Sequence, residues 1–155
     1  SICLTLLNTG RIAVAAQAIG VASAAFEKAR SYALERKTFG KNLINHQSLS
    51  FRLTDMATQI ISARQLALFA AQKADAKERC IAESSIAKIY ASEIAEKVTS
   101  SAIQIFGGDG YLQETGIEKL YRDARVLSIY EGTNDIQRIV IGREIESGWS
   151  PNQIS

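Results

Sequence analysis

The chain of 155 residues contains a single proline, Pro151, which lies among its last five positions. Because proline ends or kinks helices, the rest of the chain has no internal breaker of a long helix. Alternating β-branched and polar residues, which mark half-buried strands, are scarce. The sequence therefore predicts an all-α protein, and its length fits one domain.

Three long segments place apolar residues at steps of three and four, the spacing of a helix with one buried face. The helices predicted from this spacing run from about Thr9 to Glu35, from about Gln47 to Ala74 and from about Ala76 to Phe106. The apolar positions are Ile12, Ala15, Ile19, Ala22, Phe26, Ala29 and Ala33 in the first, and Leu49, Leu53, Met56, Ile60, Ala63, Ala67 and Ala70 in the second.

The remaining faces of these helices lead to two further expectations. The first helix is rich in alanine on its other sides as well, so we expect it to be buried nearly all round. On the third, the apolar side is Ile86, Tyr90, Ile94, Val98 and Ala102, and the charged residues expected to face solvent are Glu78, Glu83, Lys88 and Lys97.

Shorter helices are expected near Gly116 to Arg125 and from about Asp135 to Ile145, the latter capped by Asn134 with Gln137 three residues on. With short, glycine-bearing connections, these elements predict an antiparallel up-and-down four-helix bundle over residues 1–146. Residues 147–155 are expected to form an irregular tail.

Composition excludes several classes of function. A net charge of +2 spread along the chain, without a run of Lys and Arg, gives no basic patch for nucleic acid or an anionic membrane. The two cysteines, Cys3 and Cys80, lie far apart and favour a reduced compartment over a disulfide framework. The apolar run from Ile12 to Phe26 is alanine-rich and interrupted by polar residues, so no membrane insertion is expected.

Metal and nucleophile sites are not expected either. A di-iron or di-manganese bundle needs Glu-x-x-His pairs on facing helices, and a Ser/His/Asp or Cys/His arrangement needs a histidine beside its nucleophile. The only histidine, His46, falls in a predicted loop and is interpreted as structural.

Three segments remain as candidates for chemistry. The basic loop Glu-Arg-Lys-Thr-Phe-Gly around Arg36 could grip a phosphate or be solvated, and Phe-Gly-Gly-Asp-Gly-Tyr could bind phosphate or only end a helix. Glu131, between Tyr130 and Gly132, could be a general base in an apolar setting or an ordinary turn residue. Local pattern leaves each pair of alternatives open.

Four ordered segments, taken together, resemble the C-terminal helical domain of the flavoprotein acyl-CoA dehydrogenases. They are NTGRIAVAAQAIG from Asn8, YALERKTFGKNLINHQSL from Tyr32, AIQIFGGDGYLQE from Ala102 and LYRDARVLSIYEGTNDIQRIVIGRE from Leu120. The resemblance implies an α,β-dehydrogenation in which a carboxylate removes the α-proton of an acyl-CoA thioester while the β-hydrogen leaves as hydride to FAD.

The resemblance also assigns residues. Glu131 matches the catalytic base of the short- and medium-chain enzymes, whereas the isovaleryl and long-chain branches place theirs on the first helix, where this chain has Gly10. The implied substrate-binding residues are Asn8, Thr9, Gly10, Arg11 and Gly132. The implied FAD-binding residues are Arg36, Phe39, Gln47, Gln104, Ile105, Phe106, Gly107 and Gly108, which serve a neighbouring subunit, together with Thr133, Asn134 and Asp135.

Members of this family also have an N-terminal helical domain and a middle β-domain, both absent from this chain, so we expect a fragment or a stand-alone module that is inactive alone. The resemblance implies a homo-oligomer, a tetramer or dimer, and an electron-transferring flavoprotein as electron acceptor. The expected location is the bacterial cytoplasm or the mitochondrial matrix. Two alternatives stay open: an acyl-CoA oxidase of the same fold, and a non-enzymatic helical assembly module.

Overall fold

A computed structural model describes the backbone of residues 2–153 and the side chains of residues 7–152. This part of the chain forms five α-helices: α1 (Ile2–Glu35), α2 (Gln47–Asp75), α3 (Ile81–Phe106), α4 (Ile117–Val126) and α5 (Asn134–Glu146). A small antiparallel hairpin, β1 (Lys37–Thr38) and β2 (Lys41–Asn42), joins α1 to α2. The all-α fold is confirmed.

The central helix is α3, which packs against α1, α2, α4 and α5. Both α3 and α1 contain fully buried alanines, among them Ala22, Ala25 and Ala29 of α1 and Ala91 and Ala95 of α3. Small side chains allow two helix axes to approach closely. The predicted apolar stripes of α1 and α2 belong to this core or pack against it.

The first helix is less enclosed than its composition suggested. Ala13, Ala16, Gly20 and Ala24 are exposed, because only one side of α1 faces the other helices of this chain. Over Leu7–Glu35 the helix is also long and apolar enough to match a membrane span by length and composition. A core helix of a soluble protein meets the same criteria, and here α1 packs against α2, α3 and α4 on one side.

Three helix starts differ from the prediction. Helix α1 begins at Ile2 rather than near Thr9. Helix α3 begins at Ile81 rather than near Ala76, because α2 ends at Asp75 and Lys77 takes a left-handed conformation (φ 59°) that turns the chain. The N-cap of α5 is Thr133 rather than Asn134: its hydroxyl accepts a hydrogen bond from the Ile136 amide (3.3 Å). Asn134 is the first residue of the helix, and its side chain points into the core.

The solvent-facing charges predicted on the third helix divide into two pairs. Glu78 and Lys97 are exposed as expected, but Glu83 and Lys88 are buried, and for these two the prediction was wrong. The reason lies in tertiary contacts from outside the helix. The connection before α5 contacts Lys88 and the C-terminal segment contacts Glu83, and the periodicity of α3 alone does not reveal either neighbour.

Glu83 joins three parts of the fold. Its carboxylate accepts hydrogen bonds from Lys73 Nζ of α2 (2.8 Å) and from Trp149 Nε1 of the C-terminal segment (3.2 Å). Burial by itself raises the pKa of Glu83, but the bonds from Lys73, from its own backbone amide and from Trp149 outweigh burial and hold this pKa below its ordinary value. The segment after α5 is therefore fastened to the bundle, and it ends in a 3-10 turn at Pro151–Gln153.

Candidate functional site

The connection between α4 and α5 contains two consecutive residues with left-handed backbones, Glu131 (φ 54°) and Gly132 (φ 84°). For a residue with a side chain this conformation costs roughly 1–2 kcal/mol. Gln137 of α5 holds the turn, since its Nε2 donates to the carbonyls of both Glu131 and Gly132 (3.2 Å each). A Cβ atom at position 132 would lie 2.7 Å from that nitrogen, so glycine is required there.

This turn directs the Glu131 carboxylate toward helix α1 at Gly10. A Cβ atom built on Gly10 would lie 2.8 Å from Glu131 Oε2 and 3.5 Å from the carboxyl carbon. The two sequence positions at which the resembled family carries its base are therefore neighbours in space. Glycine at position 10 leaves that volume to Glu131.

The carboxylate is accessible from one side. Glu131 is exposed in this chain, as are its neighbours Ile129 and Tyr130, which are 50% and 36% exposed. The apolar surroundings expected from the sequence are thus present as exposed side chains and do not enclose the carboxylate. A dry pocket would need a covering surface from outside the residues described.

The predicted substrate-binding residues of α1 divide into an inner and an outer group. Asn8 and Arg11 are buried: Arg11 Nη1 and Ser84 Oγ both donate to Asn8 Oδ1 (3.1 and 3.3 Å). Burial lowers the pKa of Arg11 and raises the pKa of the nearby Cys80 thiol. Thr9 is exposed and Gly10 is partly exposed, so they form the accessible edge of α1 beside Glu131 and Gly132.

Beneath the turn lies Lys88 of α3, which the sequence analysis placed in solvent. Its ammonium donates to the Gly132 carbonyl (2.8 Å) and to Asn134 Oδ1 (2.9 Å). Burial and the neighbouring Arg11 lower the pKa of Lys88, and the negative charge of Glu131 acts in the opposite direction. One local signal points to its burial: Lys88 lies between Ala87 and Ala91 in the middle of an apolar run.

A second group of predicted residues meets at the other end of α1. The residues Arg36, Ile105, Phe106, Gly107 and Gly108 line one groove with Tyr32, Thr38, Leu43 and Asp109. Tyr32 stacks on Phe106 (ring centroids 4.2 Å apart) and donates to Asp109 (2.7 Å). Burial and this hydrogen bond raise the pKa of the Tyr32 hydroxyl.

The groove has the chemistry of an anion site. Arg36 is exposed and forms no ion pair with the residues described, so its guanidinium is free to bind a phosphate. Gly107 takes a left-handed backbone (φ 62°) with open space where a Cβ would stand. These two features fit a phosphate group, while the Asp109 carboxylate, which accepts from Tyr32, also lines the groove.

The other residues assigned to the cofactor lie around this groove or beside the turn. Phe39, at the tip of the hairpin, is 98% exposed, and Gln47 and Gln104 are exposed as well. His46 bonds to the hydroxyl and carbonyl of Thr38 (3.1 and 3.2 Å), which gives the lone histidine a structural contact in the hairpin.

Near the turn, the three residues assigned to flavin contact differ in exposure. Thr133 and Asp135 are exposed, whereas Asn134 is buried, with its side chain bonded to Lys88 and Ser92. The exposed pair and the backbone at the start of α5 face outward.

The two groups of residues are far apart. Gly10 lies near one end of α1, and Glu35, next to Arg36, is its last residue. At a rise of about 1.5 Å per residue, these two ends of the helix are separated by roughly 38 Å. A single dinucleotide cannot reach from the Glu131 turn to the Arg36 groove of the same chain.

Known proteins of one family resemble this chain in sequence and in fold. The sequence profile described as Acyl-CoA dehydrogenase, C-terminal domain, matches residues 1–146. Subunit CarC of the caffeyl-CoA reductase–Etf complex of Acetobacterium woodii is 47% identical over 135 residues, and an acyl-CoA dehydrogenase of Bacillus subtilis is 46% identical over 147 residues. These alignments cover 87% and 95% of this chain, and 36% and 39% of the relatives.

A solved structure has the same fold. Butyryl-CoA dehydrogenase from Megasphaera elsdenii is 45% identical, with a TM-score of 0.91 over 94% of this chain and 38% of that protein. The chain spans about two fifths of the length of the proteins it matches.

Proposed function

Because this chain belongs to the acyl-CoA dehydrogenase family, whose C-terminal domain it matches over residues 1–146, we propose that it supplies the catalytic base of an FAD-dependent dehydrogenase. The substrate class is a short, medium or short-branched acyl-CoA thioester, and the product is the trans-2-enoyl-CoA. The observation that carries this proposal is the Glu131 carboxylate held over Gly10 by a left-handed turn.

In the proposed reaction Glu131 takes the α-proton of the thioester, and the electron pair of the broken C–H bond forms the new double bond. FAD, when bound, supplies the acceptor for the hydride that leaves the β-carbon. Proton removal from so weak an acid requires the carboxylate within hydrogen-bond reach of the α-carbon and excluded from water. The exposed Glu131 and Tyr130 would be covered by substrate and by the N-terminal and middle domains that we propose for the complete enzyme.

We propose that the acyl thioester binds at the accessible edge of α1, between Thr9 and Gly10 on one side and Gly132 on the other. The buried Asn8 would act behind this edge by tying α1 to Ser84 of α3, and Arg11 bonds to the same Asn8 oxygen.

The separation of the two groups along α1 supports a homo-oligomer, either a dimer or a tetramer. If each flavin meets the Glu131 turn of one chain, the Arg36 groove of that chain faces the flavin of another. The exposed small residues of α1, Ala13, Ala16, Gly20 and Ala24, would suit close packing against further protein.

An electron-transferring flavoprotein is the proposed electron acceptor, in keeping with the name of the CarC relative. We place the enzyme in the bacterial cytoplasm or the mitochondrial matrix. No nucleic acid and no membrane is proposed as a partner, since the net charge of +2 is dispersed along the chain.

The test is Glu131→Gln in the complete enzyme, with flavin reduction by butyryl-CoA followed by stopped-flow absorbance. The amide keeps the size of the side chain but cannot accept the proton, so reduction should slow by about 10²–10⁴-fold while acyl-CoA still binds. Glu146→Gln, at the exposed end of α5, is the matched control and should reduce at the parental rate.

Near-parental reduction in Glu131→Gln would refute the assignment of the base. Two other outcomes separate the rival functions. Consumption of dioxygen without an electron-transferring flavoprotein would identify an acyl-CoA oxidase. A colourless protein that gains no flavin on reconstitution would identify an assembly module in which Glu131 is only a turn residue.

A further inference from the structure

Lys88 is a buried cation whose bonding partners are neutral. Its side chain is 0% exposed and is the largest of the fully buried side chains described. Its ammonium donates to a carbonyl and to an amide oxygen, and no carboxylate of the described residues forms an ion pair with it. Removing an ammonium from water costs several kcal/mol, which neutral acceptors offset only in part. An apolar residue would fill this position of α3 without that desolvation free energy. Packing alone therefore does not explain why a lysine is buried here.

The two acceptors of Lys88 both belong to the short segment that leads from the turn into α5. The Gly132 carbonyl (2.8 Å) belongs to the left-handed turn, and Asn134 Oδ1 (2.9 Å) belongs to the first residue of α5. Backbone rotation at Gly132 would break the first bond and swing Glu131 away from Gly10. The ammonium thus ties α3 to the segment that sets the direction of the Glu131 side chain.

The same ammonium acts on Glu131 through its charge. The other ionisable groups that affect Lys88 are Arg11 of α1, which is also positive, and Glu131, which is the negative one. Arg11 is likewise buried without a carboxylate partner among the described residues. Because Coulomb attraction is mutual, the positive charge of Lys88 also attracts the negative carboxylate of Glu131 from behind the turn.

We infer that Lys88 is a positioning residue for the base: its buried ammonium fixes the Glu131–Gly132 turn through the Gly132 carbonyl and keeps a positive charge behind the Glu131 carboxylate. This inference rests on the proposed role of Glu131. Lys88 would not touch the reacting atoms, and its effect would be transmitted through the turn and through charge.

The test compares Lys88→Met with Ser92→Ala in the complete enzyme. Methionine fills nearly the same volume without donors or charge. Ser92 is also fully buried and bonds to Asn134 (3.0 Å), but it has no bond to Gly132 and no charge, so it is the matched control within the same network. The first readout is kcat and KM for flavin reduction by butyryl-CoA. We expect Lys88→Met to lower kcat by about 10²-fold, as for a catalytic group displaced by about 1 Å, with KM unchanged.

Two further readouts need no dehydrogenation. Acetyl-CoA has no β-carbon and cannot be dehydrogenated, but Glu131 can remove its α-proton and return deuterium from D₂O; this exchange, followed by NMR, should slow about as much as kcat. Amide hydrogen exchange of a peptide covering residues 129–134, measured by mass spectrometry, should accelerate in Lys88→Met. All three readouts should stay close to parental in Ser92→Ala.

The outcomes separate this inference from the function on which it rests. If the parental enzyme does not reduce its flavin with any acyl-CoA, the proposed function fails. If the parent is active, Glu131→Gln is inactive and Lys88→Met keeps parental kcat, α-proton exchange and amide exchange, then Lys88 fills space only and the inference is overturned. A lower kcat with parental α-proton exchange would also overturn it. Should Lys88→Met not fold, Lys88→Leu takes its place with the same expected results, because leucine likewise has no donor and no charge.

Discussion

The absence of a side chain at position 10 leaves room for the Glu131 carboxylate beside α1. Glycine inside a helix is usually a cost, because alanine in its place stabilises the helix by about 0.5–1 kcal/mol. Here the added methyl group would stand 2.8 Å from Oε2, the end of a flexible side chain that can move aside. Replacing Gly10 by alanine should therefore disturb the fold less than it disturbs catalysis.

We expect Gly10→Ala in the complete enzyme to raise the free energy of unfolding by about 0.5 kcal/mol while flavin reduction falls by about 10²-fold, because the base is displaced. Urea denaturation and stopped-flow reduction measure the two effects. Gly142→Ala is the control: the same substitution inside another helix, α5, with nothing beyond the nearby chain within 4 Å of the new Cβ. It should raise stability without slowing reduction, and a parental rate in Gly10→Ala would contradict the geometry.

At the scale of elements, Glu83 links α2, α3 and the segment after α5. Its lowered pKa means that folding favours the ionised carboxylate, so its contribution to stability is present above the ordinary pKa of 4.5. That contribution is lost as pH falls through the lower pKa of the folded state. The bonds from Lys73 and Trp149 are the structural cause.

Glu83→Gln should lower the free energy of unfolding by about 1.5–3 kcal/mol at neutral pH, since bonds to a charged acceptor are weakened. The gap to the parental protein should narrow as pH falls below 4.5. Urea unfolding followed by circular dichroism at pH 7 and at successively lower pH checks this. Glu27→Gln, which breaks only the exposed pair with Arg30, should have little effect at any pH. A constant gap between Glu83→Gln and the parent would contradict the assignment.

At the scale of the whole molecule, α1 separates the base from the Arg36 groove by roughly 38 Å. Arg36→Ala in the complete enzyme should weaken FAD binding by about 10- to 100-fold, the loss of one charge-assisted phosphate contact. Fluorescence titration of the flavin-free enzyme with FAD measures this.

Arg64→Ala removes another exposed arginine, on α2 and away from the groove, and should leave FAD affinity unchanged. Equal FAD affinity in Arg36→Ala and the parental enzyme would show that the groove does not meet the cofactor.

The sequence predicted the helices well because their stripes of apolar residues report the core directly: Leu53, Met56 and Ile60 of α2 are all buried as expected. It failed at Glu83 and Lys88, since a charged residue in one helix carries no signal of a distant segment folding over it. The sequence also predicted Asn134 rather than Thr133 as the N-cap of α5. Both residue types cap helices, but the Asn134 side chain is hydrogen-bonded to Lys88 and Ser92 in the core, so Thr133 is the cap.

The candidate site was harder to predict locally. No pattern within the chain relates Gly10 to Glu131, which are 121 positions apart, so the sequence did not predict that they lie close together. The groove around Arg36 is similar: its residues come from the end of α1 and the end of α3, and the fold brings them together.

The length of α1 has a consequence for mixed assemblies. If each active centre takes its base from one chain and its Arg36 groove from another, a chain with Glu131→Gln and a chain with Arg36→Ala are defective at different centres. Assembled together, they form one centre with both defects and one with neither. At an FAD concentration that does not fill centres lacking Arg36, two inactive parents would then yield an active hybrid, as alleles complement each other within a single gene.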